Sequence, residues 1–167
     1  AIGEIGLDYY WEKSNKENQI KYFKLQLDLA EKYNIPVIVH NREATNDVLS
    51  VLSDYKLNGV IHAYSGSLEM ARRFIKIGFK IGIGGVLTFK NSNLKDIIKS
   101  IDIDNIVLET DSPYLTPEPY RGKKNKPVYI KHVAEKLSEI TSVNYDKICK
   151  QTSENAIKLF DLNIKMW

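Results

Sequence analysis

Cysteine occurs once in this chain, as Cys149, so no disulfide can form within it and a scaffold stapled by bridges is excluded. That scarcity fits a reducing compartment and sets the expectation of a cytoplasmic location. No run of about 20 apolar residues is present, which argues against a membrane-spanning helix and against a membrane partner. A basic-then-apolar leader is missing too: the chain opens Ala1-Ile2-Gly3-Glu4, without Met and in the middle of what reads as a strand. Residues upstream in the natural protein are therefore expected to be absent here. Histidine is limited to His40, His62 and His132 in 167 residues. Proline is sparse but concentrated, with four of the five (Pro113, Pro117, Pro119 and Pro127) in residues 112–127. Charge of one sign hardly dominates. A net charge of +3 is compatible with nucleic acid without requiring it.

What remains is an ordinary globular composition, 43% hydrophobic and 27% charged. Apolar strand-like runs alternate with amphipathic helical ones, which predicts α/β layering around a parallel sheet. Strands are expected at 1–7, 35–39, 60–63, 79–83 and 106–109. Helices are expected to follow Ser14-Asn15-Lys16-Glu17, read as a capping box, and at 44–55, 68–77, 93–101, 128–140, 145–150 and 153–160. Between the last strand and these final helices lies a long Pro-rich loop with a basic patch, Arg121-Gly122-Lys123-Lys124-Asn125-Lys126. Long ordered loops of this kind are usually functional. With no repeat and no linker, residues 1–162 read as one domain and 163–167 as a tail.

Four side chains with an affinity for metals end or closely follow the apolar runs: Glu4, His40, His62 and Asp111. Taken singly each has a bland reading, a satisfied structural histidine or a carboxylate capping a turn. Together, at the carboxyl ends of parallel strands, they share one rim, the place where a β/α barrel keeps its chemistry. Two imidazoles and two carboxylates suit Zn²⁺, Mn²⁺ or Mg²⁺. Asp111 and Glu4 are the candidate catalytic carboxylates. Arg42 and Arg121 are candidate phosphate clamps, guanidinium offering bidentate donors, although Arg42 has Glu43 or a helix end as an alternative partner. Ser65 and Asn125 either hydrogen-bond phosphate or shape turns. Tyr9, Tyr10 and Trp11 lie where an aromatic ring can stack on a base, with core packing as the other role. Asp8 reads as a brace for the rim, and His132 as a surface residue.

The successive segments Gly3-Glu4-Ile5-Gly6-Leu7-Asp8-Tyr9-Tyr10, Pro36-Val37-Ile38-Val39-His40-Asn41-Arg42, His62-Ala63-Tyr64-Ser65-Gly66, Glu109-Thr110-Asp111-Ser112-Pro113-Tyr114-Leu115-Thr116-Pro117, Arg121-Gly122-Lys123-Lys124-Asn125-Lys126-Pro127 and Asn155-Ala156-Ile157-Lys158-Leu159-Phe160 resemble those of the TatD family. The resemblance covers nearly the whole chain, in order. It implies a TIM-type β/α barrel and a deoxyribonuclease, exonucleolytic by family analogy, with DNA as substrate and two divalent ions (Mg²⁺, Mn²⁺ or Zn²⁺) as cofactors. It further implies that Glu4 bridges both ions, that His40 and His62 complete one site, and that Asp111 serves the other and receives a proton. The family's opening His-x-His strand has no counterpart here. The barrel is accordingly expected to be incomplete at its N-terminus, carrying about the last six strands. Its open edges would be covered by its own N-terminal fragment or by a second copy. The competing readings are an amidohydrolase or esterase acting on a small molecule or aminoacyl ester, and a truncated fragment without catalysis of its own.

Overall fold

The computed structural model describes residues 1–11 and 13–164. Strands and helices alternate as β1 (Ile2–Asp8), α1 (Lys16–Tyr33), β2 (Val37–Arg42), α2 (Thr45–Ser53), β3 (Gly59–Ile61), α3 (Leu68–Lys76), β4 (Phe79–Ile83), α4 (Leu94–Ile98) and β5 (Ile106–Leu108). Beyond the Pro-rich loop follow α5 (Ile130–Thr141) and α6 (Tyr145–Phe160). The sheet order is the chain order, β1-β2-β3-β4-β5, and every neighbouring pair is parallel. An order that never reverses is that of a singly wound sheet, the arrangement of a barrel wall and not of a doubly wound fold. Five strands are present among the described residues, the number read from the apolar runs. Among the described residues, everything beyond Leu108 folds as loop and helix.

Strand alternation sorts the side chains. Ile5, Leu7, Val37, Val39, Ile61 and Ile81 point to the helices and pack with Phe23, Leu27, Val48, Leu52 and Phe74 in one buried core. Burying each such side chain is worth about 1.5–3 kcal/mol, so the helical layer fixes the strand register. Residues of opposite parity face away from that core. Ile38, Val60 and Val107 form a smaller cluster there, closed by Ala156, Leu159 and Phe160 from the end of α6. By the same parity His40, His62 and Glu109 share this second face, further toward the strand ends.

Three local expectations are corrected. Helix α1 starts at Lys16 with Asn15 as its flanking residue and no side-chain cap bond, so the Ser14–Glu17 spacing does not form a capping box. The two terminal helices predicted at 145–150 and 153–160 are one helix. Thr152 is accommodated inside it because its hydroxyl donates to the Ile148 carbonyl, 2.9 Å away. His132 is not a free surface residue. Its side chain is only 14% exposed, hydrogen-bonds Glu135 at 2.8 Å, and lies beside the stacked rings of Tyr120 and Tyr129.

Side chains also attend to the outer strands. Gln19 of α1 accepts from the Asp8 N–H (2.8 Å) and donates to the Asp8 carbonyl (3.0 Å), imitating a neighbouring strand. At the other edge Asn155 of α6 donates to the carbonyls of Ile103 (2.8 Å) and Ile106 (2.7 Å).

Candidate metal centre

β1 delivers Glu4, β2 delivers His40, the residue after β3 is His62, and Asp111 sits three residues beyond β5. One ligand atom from each of Glu4, His62 and Asp111 lies within 4.8 Å of the others. Nε2 of His62 is 3.4 Å from Oε1 of Glu4 and 3.6 Å from Oδ1 of Asp111. The second Glu4 oxygen, Oε2, is 3.5 Å from Nδ1 of His40. A single carboxylate thus faces both histidines, one with each oxygen. Asp111 adopts a left-handed backbone (φ 54°), as does Ala63 (φ 44°) directly after His62. Backbone of this kind costs about 1 kcal/mol or more per residue and is concentrated at functional sites.

Each imidazole is held from behind by a further carboxylate. Glu109 accepts from Nδ1 of His62 at 2.7 Å and from the Ala63 N–H at 2.7 Å. Asp8 pairs with Nε2 of His40 at 2.9 Å. This leaves Nε2 of His62 and Nδ1 of His40 aimed at Glu4, the carboxylate–histidine pattern that orients metal ligands. Sequence reasoning placed Asp8 as a brace but gave Glu109 no role. The signal for Glu109 was its parity, two residues from the inward Val107. Glu109 reaches across β4 only because Gly82 stands between: a Cβ there would lie 2.8 Å from Oε2 of Glu109 and 2.9 Å from the Ile61 carbonyl.

The electrostatics favour a cation. Glu4, Asp8, Glu109 and Asp111 converge on two imidazoles, and among the described residues no Lys or Arg pairs with any of the four. The hydrogen bond to Glu109, together with the charges of Glu109, Glu4 and Asp111, outweighs burial and raises the His62 pKa to about 9. Burial alone would raise the Asp8 carboxyl. Its hydrogen bonds with His40 and with the Trp11 and Tyr10 amides hold it below the ordinary carboxylate range instead. A donor set of carboxylates and imidazoles, oriented and lacking a cationic partner, fits a divalent ion.

The remaining candidates separate. Arg42 has no carboxylate partner among the described residues: Glu43 pairs with Lys13 at 3.4 Å, and the guanidinium lies over the Tyr10 ring. Arg42, Asn41, His62, Ser65 and Gly66 line one cavity of about 250 Å³, and Ser65 is exposed within it. Arg121 stacks on Phe89, its guanidinium carbon 3.7 Å from the ring centroid, in the exposed basic loop. Asn125 is a correction. It is 4% exposed, and its amide is spent on the carbonyls of Thr110 (2.7 Å) and Tyr114 (2.6 Å) and on the Lys126 N–H (2.8 Å). With every group engaged it shapes the loop that carries Asp111, and no donor is left for a substrate. Tyr9 is buried, with its hydroxyl on Asp47 at 2.7 Å, while Tyr10 and Trp11 are exposed.

Comparison with known proteins shows the family and the fold. A family profile described as TatD related DNase matches residues 1–161. The metal-dependent hydrolase YabD of Bacillus subtilis is 44% identical over 167 residues, covering 98% of this chain and 66% of that protein. The metal-dependent hydrolase YcfH of Escherichia coli K12 is 36% identical, covering 98% of this chain and 63% of that protein. The crystal structure of YjjV, a TatD homologue from Escherichia coli K12, superposes with a TM-score of 0.91 at 33% identity, over 97% of this chain and 64% of that one. A TatD family hydrolase from Entamoeba histolytica shares the fold at 23% identity and a TM-score of 0.85, over 96% of this chain and 62% of that one. The chain spans just under two thirds of the length of each of these proteins.

Proposed function

The chain belongs to the TatD family, and from the geometry of its centre we propose that it is a hydrolase of DNA phosphodiester bonds that works with two divalent cations. The observation that carries this reading is the Glu4 carboxylate, whose two oxygens face separate imidazoles while Asp111 closes one side. Glu4, His62 and Asp111 would hold one ion, and the other oxygen of Glu4 with His40 would hold a second. The pairing differs from the one implied by family resemblance, because His62 and not His40 lies beside Asp111. When bound, such ions supply Lewis acidity toward a phosphoryl oxygen and a hydroxide equivalent at neutral pH.

The protein's own groups do the rest. Glu109 and Asp8 keep the imidazoles turned inward. Asp111 accepts the proton of the attacking water as its general base. Arg42 and Ser65 take the phosphate in the adjoining cavity, and Arg121 with the lysines of its loop contacts the strand further out. Among the described residues no Lys or Arg pairs inside the centre and no carboxylate pairs with Arg42 beside it, which together favour an anionic diester over a neutral ester or amide.

The test is metal analysis of the purified chain combined with hydrolysis of end-labelled single-stranded DNA. A chelator should abolish cleavage, added Mg²⁺, Mn²⁺ or Zn²⁺ should restore it, and Glu4→Gln should lower both bound metal and turnover. Cleavage at an unchanged rate in the presence of chelator would exclude the reading.

A further inference from the structure

Trp11 is 75% exposed and Tyr10 48%, a large aromatic area to leave in water beside a polar centre. The two rings meet edge to face, their centroids 4.9 Å apart and their planes at 89°. Arg42 closes the corner, its guanidinium carbon 3.8 Å from the Tyr10 centroid and 5.5 Å from that of Trp11. These rings do not serve the core: neither joins the buried cluster, where Tyr9 alone of the three is found. Their backbone is nonetheless fixed. Oδ1 of Asp8 accepts from the amides of Tyr10 (2.9 Å) and Trp11 (3.3 Å), while Oδ2 of the same carboxylate holds His40. One carboxylate therefore separates the corner from a metal ligand.

We propose that Tyr10, Trp11 and Arg42 form a seat for an unpaired nucleobase. The base of a single DNA strand stacks on Trp11, and its adjoining phosphate takes the N–H donors of Arg42. The chemistry is that of ring faces, which accept any base, combined with a guanidinium that stacks and pairs with phosphate at once. A base inside a duplex has both faces covered by its neighbours, so the seat takes only a base that is free of them. This inference rests on the DNA-hydrolysis reading above and assigns three residues outside the candidate ligand set to holding the strand.

The experiment uses a hexathymidylate with phosphorothioate linkages, which resist hydrolysis, and an abasic hexamer of the same backbone, both in Mg²⁺. Trp11 fluorescence is followed, with the signal of Trp167, the other tryptophan, measured in Trp11→Phe. Hexathymidylate should quench Trp11, and the abasic hexamer should not. By anisotropy of a labelled hexamer, Trp11→Ala should bind about tenfold more weakly and Trp11→Phe close to wild type. An unchanged melting temperature checks that this exposed position leaves the fold intact. Equal binding of the two hexamers, or of wild type and Trp11→Ala, would overturn the seat. Chelator-sensitive hydrolysis of bis(p-nitrophenyl) phosphate, a diester without a base, tests the functional reading separately. If it persists when the hexamer arms fail, the seat alone is wrong.

Discussion

Glu109 stands behind the candidate metal centre, bonded to one of its imidazoles and to a backbone amide. Its charge fixes which nitrogen of His62 carries the proton, and its second oxygen pins the strained Ala63 amide. Glu109→Gln keeps the shape and removes the charge, so affinity for a divalent cation should drop about 10–100-fold, measurable by titration calorimetry. Unchanged affinity would mean the pairing is incidental. The same contact sets a pH dependence. The His62 pKa is raised to about 9, against about 6.5 for the unfolded chain. The protonated pair thus stabilises the metal-free protein fully below about pH 6.5, and that contribution is lost as pH rises through about 9. Cation affinity runs the other way, because a ligating imidazole must shed its proton, and should climb with pH up to about 9. Melting curves in chelator, compared with His62→Gln, check the first statement; a wild type whose stability over this range tracks the variant would contradict it. The four candidate positions that the fold gathers at one rim were legible in the sequence because each ends or follows an apolar run. Glu109 was not, since its role depends on two strands flanking a glycine that only the folded sheet brings together.

At the level of elements, the loop between β5 and α5 is held by a buried amide and not by regular structure. Thr116 donates to the Lys123 carbonyl, and Asn125 ties Thr110 to Tyr114. Asn125→Ala would leave the Thr110 and Tyr114 carbonyls without this donor, at up to about 1–3 kcal/mol, loosening the segment that carries Asp111. Faster proteolysis within 112–127 and a lower melting temperature should follow; identical cleavage rates would show that the loop is held elsewhere. Periodicity located most elements well. Phe79–Ile83 reads directly as a strand, and Val48 and Leu52 correctly mark the buried stripe of α2. Errors arose where a local signal was outvoted by packing. Ser14 and Glu17 have the spacing of a cap, but the helix begins beyond Ser14. The helices read at 145–150 and 153–160 are one, and inside it Thr152 bonds back to Ile148.

For the whole molecule, the sheet has β1 and β5 at its margins among the described residues, β1 bonded by Gln19 and the start of β5 by Asn155. Partly paired strands recruit partners. We propose that the 167-residue chain by itself associates through these margins, either with a second copy or with a polypeptide supplying the remainder of the length seen in its relatives. Light scattering should report a mass above 19.2 kDa, and a strict monomer at micromolar concentration would contradict it. Asp8 adds a different consequence at this scale. Its two oxygens belong to separate tasks, one steadying His40 and the other the amides beneath Tyr10 and Trp11. Two binding events that share one anchor are thermodynamically linked, and linkage is reciprocal. By whatever factor an ion on His40 changes the affinity of a strand resting on Trp11, that strand changes the ion's affinity by the same factor. If the two are coupled through Asp8, Asp8→Asn should weaken that coupling more than it weakens binding of either partner alone, as read by titrating each in the presence and absence of the other.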